Sequence, residues 1–254
     1  MQKTVLHNAD VVEQFTLQSL PFTKKMAYSD TLQLLVEIAA PSVADTVLDV
    51  ACGPGLVLCA FAKIAKHTTG IDITPAMLER AKKQQRRAGL QNMRWDLGNA
   101  ETLPYADHSF SIVVSRYSFH HFENPLKVLR EMYRVCDKGG KIIVADVTLP
   151  EQNLPAFNAM EKLRDSSHTQ ALSLPAFQEM FKKCGLKNVR YSSYKIEMEL
   201  EQQLATSFPN AEDADSIKQL FQNDLEKNEM GVNARLVDNK ICFTYPINVY
   251  VGYK

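Results

Sequence analysis

Short apolar runs alternate with amphipathic segments through the first part of the chain. Apolar runs of strand length bounded by turn residues predict strands, and apolar residues at three- and four-residue spacing predict helices. Helices are predicted to begin near Thr74 and at Asn124-Pro125, because Thr and Asn cap helices and Pro suits the first helical position. Strands are predicted at residues 46–50, 68–73, 92–97, 110–115 and 140–147. Alternating strands and helices favour a parallel sheet with helices on both faces.

The pattern changes after the fifth strand. Helices are predicted at residues 154–164, 173–184 and 215–228, and strands at 189–200 and 240–253. Another helix, capped by Ser29 or Asp30, is predicted before the first strand. We expect one domain over 1–254, with N-terminal helices and a lid arm over 1–45, a cofactor-binding core over 46–150, and an acceptor lid with the last strands over 151–254.

The first strand ends in a glycine-containing turn, Val47-Leu48-Asp49-Val50-Ala51-Cys52-Gly53-Pro54-Gly55. Gly53 and Gly55 can adopt backbone angles that are closed to other residues, and they let a ligand lie against the main chain. The apolar positions that follow have helical spacing, so the turn is predicted to open a helix whose first amides point at the ligand. This is half of a nucleotide-binding βαβ unit. An ordinary strand-to-helix turn is the alternative.

A second predicted strand ends near Asp72, about 20 residues beyond the glycines, the separation at which a carboxylate reaches ribose hydroxyls. A turn acid or a helix cap is the alternative, although Thr74 is the better cap. A dinucleotide is disfavoured, because Leu58 stands where its fingerprint has a third glycine and because Asp49 would repel a pyrophosphate. The sequence favours a nucleoside cofactor that carries a positive group.

Three segments resemble motifs of the class I S-adenosylmethionine-dependent methyltransferases in order and spacing. They are Leu48-Asp49-Val50-Ala51-Cys52-Gly53-Pro54-Gly55, Gly70-Ile71-Asp72 and Gly98-Asn99-Ala100-Glu101-Thr102-Leu103-Pro104-Tyr105. Within this superfamily the chain most resembles the ubiquinone/menaquinone biosynthesis C-methyltransferase-like (methyltransferase type 11) group, in which Phe often stands at the place of Tyr105. The resemblance covers residues 45–147 and implies S-adenosyl-L-methionine as cofactor and S-adenosyl-L-homocysteine as product.

The same resemblance implies a fold and a set of cofactor contacts. The fold is α/β and Rossmann-like: a doubly wound seven-stranded sheet of order 3-2-1-4-5-7-6, with the last strand antiparallel and with helical lid insertions. Asp49 would lie near the methionine part of the cofactor, Asp72 on its ribose, and Asn99 at the adenine edge, unless Asn99 is only a turn residue. The cofactor-binding candidates are Asp49, Ala51, Gly53, Gly55, Asp72, Ile73, Met77, Asn99, Ala100, Glu101, Ser115, Arg116 and Thr23.

Two histidines follow the fourth predicted strand, in Ser115-Arg116-Tyr117-Ser118-Phe119-His120-His121-Phe122. A general base is needed only if the acceptor loses a proton, and the near-neutral pKa of histidine suits that task. His120 and His121 are therefore catalytic candidates. The alternative is that one of them hydrogen-bonds the backbone while the other packs against the cofactor. Tyr117 belongs either to the cavity wall or to the core.

Two other segments are candidates for the walls of the site. The N-terminal segment contains Phe15, Phe22 and Thr23, and the resemblance implies that such an arm folds over the cofactor; a helix packed on the sheet is the alternative. A polar cluster comprises Arg164, Asp165 and His168. This cluster would either meet a polar acceptor or form an ion pair at a helix end.

Composition narrows the class of protein. The chain has 254 residues, with 29 basic and 29 acidic side chains and 5 cysteines. Balanced charge argues against a nucleic-acid partner, and the basic residues of 80–87 suit a solvated helix face. An odd number of cysteines without zinc-ligand spacing indicates reduced thiols and no metal site. With no apolar run of membrane-spanning length, we expect a cytoplasmic protein, either a monomer or a homodimer.

The function expected from these observations is methyl transfer from S-adenosylmethionine to a small, partly apolar acceptor, by C- or O-methylation of a quinol, phenol or similar metabolite. An NAD-dependent oxidoreductase is the closest alternative enzyme. A non-catalytic S-adenosylmethionine-binding protein on the same fold is the alternative from another class. Acceptor identity depends on the residues around the site, because one fold hosts many chemistries.

Overall fold

A computed structural model describes the backbone of residues 2–24 and 31–254, and the side chains of 6–19 and 31–254. The helices are α1 (Gln2–Lys24), α2 (Leu32–Ala39), α3 (Leu56–Phe61), α4 (Pro75–Ala88), α5 (Pro125–Val135), α6 (Leu154–Arg164), α7 (Leu174–Lys183), α8 (Leu200–Ser207) and α9 (Ala211–Lys227). The strands are β1 (Thr46–Val50), β2 (His67–Asp72), β3 (Met93–Leu97), β4 (Phe110–Arg116), β5 (Cys136–Val147), β6 (Lys187–Glu199), β7 (Arg235–Val237) and β8 (Lys240–Tyr253).

The strands form one sheet in the order β3-β2-β1-β4-β5-β8-β6, and β7 pairs with β8. β1 to β5 pair in parallel, and β8 runs antiparallel between β5 and β6. The Rossmann-like order expected from the resemblance is confirmed, with β8 in the place of the seventh strand. The additional β7 enters β8 through a tight hairpin in which Asp238 and Asn239 have φ values of 49° and 61°.

Buried side chains cover both faces of the sheet. Val47 of β1 joins the apolar cluster on one face, and the next residue, Leu48, joins the cluster on the other. Side chains of α2, α3, α6, α8 and α9 belong to the first cluster, and those of α5 and α7 to the second. Because both faces are covered, the central strands β1 and β4 are mostly apolar and do not alternate between apolar and polar residues.

The differences from the predicted elements have local causes. α9 begins at Ala211 rather than near 215, because the Asn210 side chain caps it by accepting a hydrogen bond from the Asp213 N–H at 2.8 Å. The unpredicted α8 follows β6 without a loop, and the N-terminal arm is the long helix α1. Ser29 and Asp30, the predicted caps of α2, lie outside the described residues.

The carboxyl ends of β1, β2, β4 and β5 lie at the same edge of the sheet, where open α/β sheets bind ligands. Acidic and basic side chains occupy the last positions of these strands: Asp49, Asp72, Arg116 and Asp146. All four are at least nine-tenths buried. α1 packs against α4 and α8, so this edge is covered by helices from both ends of the chain.

Candidate active site

A cavity of about 1080 Å³, including the solvent at its mouth, opens at the carboxyl ends of β1, β2 and β4. The glycine turn, the start of α4 and part of α1 contribute to its walls. The structure brings together most of the predicted cofactor-binding residues here. Those lining the cavity are Asp49, Ala51, Gly53, Asp72, Ile73, Met77, Asn99, Ala100, Glu101 and Arg116.

Asp72 connects the end of β2 to the glycine turn. Its Oδ2 accepts a hydrogen bond from the Gly53 N–H at 2.8 Å, and its Oδ1 accepts one from the Thr74 N–H at 2.8 Å. Burial raises the pKa of Asp72, and these backbone hydrogen bonds oppose the shift. Each carboxylate oxygen keeps further acceptor capacity, so Asp72 presents a fixed pair of acceptors to the cavity.

Asp49 is a buried carboxylate with an unsatisfied oxygen. The residue is 1% exposed, and its Oδ2 has no hydrogen-bond partner among the described residues. Burial and the charge of Asp72 raise the pKa of Asp49 well above its usual range, while Arg116 acts in the opposite direction. Because an unpaired buried carboxylate is costly, this position fits a ligand that brings a positive charge.

Two predicted cofactor residues do not line the cavity, contrary to expectation. Gly55 has a φ of +78°, and a Cβ there would lie 2.5 Å from the ring of Trp95, so the glycine makes room for that ring. The Ser115 Oγ donates to the Val50 carbonyl at 2.7 Å and so joins β4 to β1. Gly53 differs from Gly55, since nothing lies within 4 Å of where its Cβ would be.

Asn99 takes part in the turn after β3. Its Oδ1 accepts a hydrogen bond from the Glu101 N–H at 2.8 Å, which is the turn geometry considered as the alternative. The side-chain carbonyl is thus engaged, and the amide nitrogen is the group left for a ligand. The Glu101 carboxylate forms an ion pair with Lys127 at 3.1 Å.

Helix α1 supplies the arm over the site. Its residues His7, Asn8, Val11 and Phe15 line the cavity, and His7 Nε2 lies 2.7 Å from the carbonyl oxygen of His121. The N-terminal arm is therefore a helix, and this helix also forms a wall of the cavity. The side chains of Phe22 and Thr23 lie outside the described residues.

A second cavity of about 720 Å³, again including open solvent, adjoins the first. Phe15, Tyr117 and His121 line both cavities. The second cavity lies beyond the ends of β4 and β5, and α1, α6 and α8 contribute to its walls. Its apolar lining residues include Val147, Phe157, Ile196 and Ile247.

His120 and Asp146 form a buried pair in the wall of the second cavity. His120 Nδ1 lies 2.5 Å from Asp146 Oδ1, and the carboxylate also accepts hydrogen bonds from the N–H groups of Phe119 at 2.6 Å and Val147 at 2.7 Å. Burial alone would lower the pKa of His120, but the charge and hydrogen bond of Asp146 outweigh it and raise the pKa. With Nδ1 engaged, Nε2 is the nitrogen left for a ligand.

Sequence reasoning missed Asp146. The acid at the end of β5 is a usable signal, because parallel strands place their carboxyl ends at one edge and β5 neighbours β4, which precedes the histidines.

His121 is held in another way. Its Nδ1 lies 3.0 Å from Ser167 Oγ and 3.1 Å from the Ser167 carbonyl oxygen, and the ring of Phe15 packs edge-on against it at 4.9 Å. Burial and the charge of His120 lower the pKa of His121 to about 4, so its imidazole is neutral at pH 7. A hydrogen bond to the backbone was the alternative considered for one of the two histidines.

The polar cluster at the end of α6 is both an ion pair and part of the second cavity. The Arg164 Nη2 lies 2.5 Å from Glu161 Oε2 and 3.8 Å from Asp165 Oδ2. Glu161, Arg164 and Asp165 all line the second cavity. His168 does not line this cavity; its Nε2 lies 2.8 Å from Asn158 Oδ1. Burial lowers the pKa of His168 to about 3.

Similarity to known proteins agrees with this arrangement. The family described as "Methyltransferase domain" matches residues 48–144, the part of the chain that contains the glycine turn, Asp72 and Asn99. The demethylmenaquinone methyltransferase of Listeria monocytogenes is 30% identical over 173 residues, which cover 58% of this chain and 72% of that protein. The chain belongs to the class I methyltransferase family.

A second methyltransferase relative extends the comparison. The uncharacterised methyltransferase YcgJ of Bacillus subtilis is 36% identical over 160 residues, covering 62% of this chain and 63% of the relative, which is less than two thirds of its length. The crystal structure of YcgJ superposes with a TM-score of 0.83 at 27% identity, covering 89% of this chain and 98% of the relative. The structural similarity therefore covers a larger share of this chain than the sequence similarity does.

No group of three or more His, Cys, Asp or Glu side chains among the described residues is placed to hold a metal ion. None of the described helices is long and apolar enough to cross a membrane.

Proposed function

We propose that this methyltransferase transfers a methyl group from S-adenosylmethionine, bound in the first cavity, to a small, partly apolar acceptor bound in the second. The observation that carries the proposal is the buried Asp49 oxygen without a donor, on a cavity that also contains Asp72. S-adenosylmethionine carries an ammonium and a sulfonium group, which can compensate this charge. An NAD pyrophosphate would instead be repelled by it.

The remaining walls of the first cavity match the other parts of the cofactor. Asp72 can accept hydrogen bonds from the ribose hydroxyls, and Ile73 and Met77 offer apolar surface to the adenine. The amide nitrogen of Asn99 and the backbone of Ala100 can contact the edge of the base. When bound, the cofactor supplies an electrophilic methyl group on a positively charged sulfur.

The acceptor side rests on the wall that the two cavities share. Phe15, Tyr117 and His121 line both, so the methyl group and the acceptor would meet beside these residues. The name of the Listeria relative, demethylmenaquinone methyltransferase, supports C- or O-methylation of a quinol, phenol or similar metabolite. Helix α1 forms part of both walls and would exclude water, and positioning and water exclusion carry most of the rate of a methyl transfer.

His120 is the residue best placed to take a proton from the acceptor. Its Nδ1 is fixed by Asp146, which sets the orientation of the ring, and its side chain lines the second cavity. Asp146 acts as a positioning residue, because it fixes Nδ1 of His120. The alternative base, His121, is hydrogen-bonded to Ser167.

Calorimetric titration with S-adenosylhomocysteine tests the proposal. Native protein should bind, and Asp72→Ala should bind about 10- to 100-fold more weakly, because two charge-assisted hydrogen bonds to the ribose are lost. Asp215→Ala, at an exposed position of α9, is the matched control and should bind as the native protein does. No binding by native protein, or equal binding by the Asp72 variant, would contradict the proposal.

Further measurements distinguish the two alternatives. Binding of NADH without any response to S-adenosylhomocysteine would favour the oxidoreductase. Tight binding of S-adenosylhomocysteine without labelled methyl transfer to quinols, phenols, amines or acids would favour a non-catalytic binding protein.

A further inference from the structure

The second cavity has an unusual concentration of buried carboxylates. Asp146, Glu161 and Asp165 line it, and they are 1%, 3% and 2% exposed. Arg164 is the buried basic side chain beside them, 8% exposed. The other titratable groups that line this cavity are His120, His121, Tyr117 and Tyr245. Three buried carboxylates and one arginine therefore line the second cavity.

Each carboxylate is already fixed by donors of the protein. Glu161 accepts hydrogen bonds from Arg164 and, at 2.7 Å, from the Tyr245 hydroxyl. Asp165 accepts hydrogen bonds from the Ser167 N–H at 3.0 Å and from Gln18 Nε2 at 3.0 Å. Burial opposes ionisation of Glu161, but Arg164 outweighs it, and the pKa of Glu161 is lowered. The negative charges are thus a permanent part of the wall.

Arg164 is correspondingly unavailable as a binding site for anions. Its Nε and Nη2 both donate to Glu161 Oε2, at 3.0 and 2.5 Å. Nη1 has no hydrogen bond to the described residues, so it can donate to an uncharged oxygen of a ligand. An anionic ligand, however, would enter a cavity that three carboxylates also line, and Coulomb repulsion in a buried site is strong.

Granting the proposed function, we infer that the second cavity selects an uncharged acceptor with an acidic hydroxyl group, a phenol or an enol, and that Glu161 and Asp165 exclude carboxylates and phosphates. The hydroxyl proton passes to Nε2 of His120, whose Nδ1 is held by Asp146. As the acceptor forms its bond to the methyl carbon, the carbon–sulfur bond breaks and its electron pair remains on sulfur, which gives S-adenosylhomocysteine. An amine cation can bind beside these carboxylates, but it must lose its charge before it can accept a methyl group.

Matched chromophoric probes test this selectivity on the full chain loaded with S-adenosylhomocysteine. The probes are 4-nitrophenol, 4-nitrobenzoate and 4-nitrobenzylammonium, at a pH below the pKa of the phenol. We expect 4-nitrophenol to bind and to show phenolate absorption as its proton moves to His120, and 4-nitrobenzoate to bind at least about tenfold more weakly. His120→Gln should abolish the phenolate signal.

Removing one wall carboxylate should change the selectivity in a defined direction. Glu161→Gln keeps the shape of the side chain and releases Arg164, so affinity for 4-nitrobenzoate should rise about tenfold relative to 4-nitrophenol. Glu179→Gln, on the exposed surface of α7, is the control and should leave the ratio unchanged. A melting curve establishes that Glu161→Gln is folded; if it is not, the affinity ratio of the native protein still decides.

The inference is overturned if 4-nitrobenzoate binds native protein as tightly as 4-nitrophenol, if 4-nitrobenzylammonium binds more weakly than 4-nitrobenzoate, if no probe binds, or if folded Glu161→Gln leaves the ratio unchanged. The calorimetric titration with S-adenosylhomocysteine reports on the proposed function separately. A protein that binds S-adenosylhomocysteine but prefers the carboxylate probe would retain the proposed function and lose this inference.

Discussion

Substitution of Asp49 by Asn separates cofactor binding from the stability of the ligand-free protein. In the absence of a ligand the Asp49 charge is unfavourable, because Oδ2 has no donor within the described structure and Asp72 lies nearby. Asn keeps the shape of the side chain but removes its charge, which relieves a penalty of about 1–3 kcal/mol. Since about 1 kcal/mol shifts the melting temperature of a chain of this length by roughly 2–4 °C, ligand-free Asp49→Asn should melt about 2–12 °C above native protein.

The same substitution should weaken cofactor binding. Opposite charges about 4 Å apart attract by about 4 kcal/mol at an effective dielectric constant of about 20, and dehydration offsets part of this energy. A net loss of about 2–3 kcal/mol corresponds to a Kd for S-adenosylhomocysteine about 30- to 150-fold higher. Calorimetric titration measures this change, with Asp215→Asn on exposed α9 as the control.

Proton release provides an independent readout of the same charge. Because burial and Asp72 raise the pKa of Asp49 well above its usual range, a fraction of ligand-free protein carries the neutral acid. The ammonium group of S-adenosylhomocysteine favours the ionised form, so binding should release protons, and the number released should increase as the pH falls through the raised pKa. Titrations in buffers of different ionisation enthalpy measure it. An Asp49→Asn variant that melts below native protein, or that binds and releases protons as native protein does, would refute the reasoning.

Further substitutions probe the base and the glycine turn. Methyl transfer should slow as the pH falls through the raised pKa of His120, because only neutral imidazole accepts a proton. Asp146→Asn should shift this acidic limb of the pH–rate profile to lower pH and reduce kcat by about 10²-fold. A pH profile without a limb that responds to Asp146→Asn would exclude this base. Gly55→Ala should lower the melting temperature by about 2–12 °C, because the added Cβ meets Trp95. Gly139→Ala, which also has a positive φ but open space, is the control, and equal melting of the two variants would exclude the clash.

The sheet and most of the first cavity could be predicted from the sequence because their signals are local. Apolar runs and glycine or proline punctuation define β1 to β5, and the Asp49 to Gly55 segment carries the cofactor turn within a few residues. Of the two glycines of the turn, only Gly53 lines the cavity. A pair of glycines has the same sequence signal whether a residue borders a cavity, as Gly53 does, or makes room for a side chain such as Trp95, as Gly55 does.

The second cavity could not be assembled from the sequence, because its walls come from distant parts of the chain. Phe15 lies in α1, Asp146 ends β5 and Glu161 lies in α6, and no periodic pattern relates them. The pairing of His120 with Asp146 across 26 residues depends on β4 and β5 being neighbours in the sheet. The choice between His120 and His121 likewise required their partners, Asp146 and Ser167, to be in place.

Labelled methyl transfer tests the central claim most directly. Native protein is incubated with S-adenosylmethionine labelled in its methyl group and a small-molecule extract, and products are identified by mass. We expect a labelled product that arises from an uncharged acceptor. The product should be absent with Asp72→Ala and reduced with His120→Gln. No labelled product from any fraction, together with no binding of S-adenosylhomocysteine, would contradict this claim.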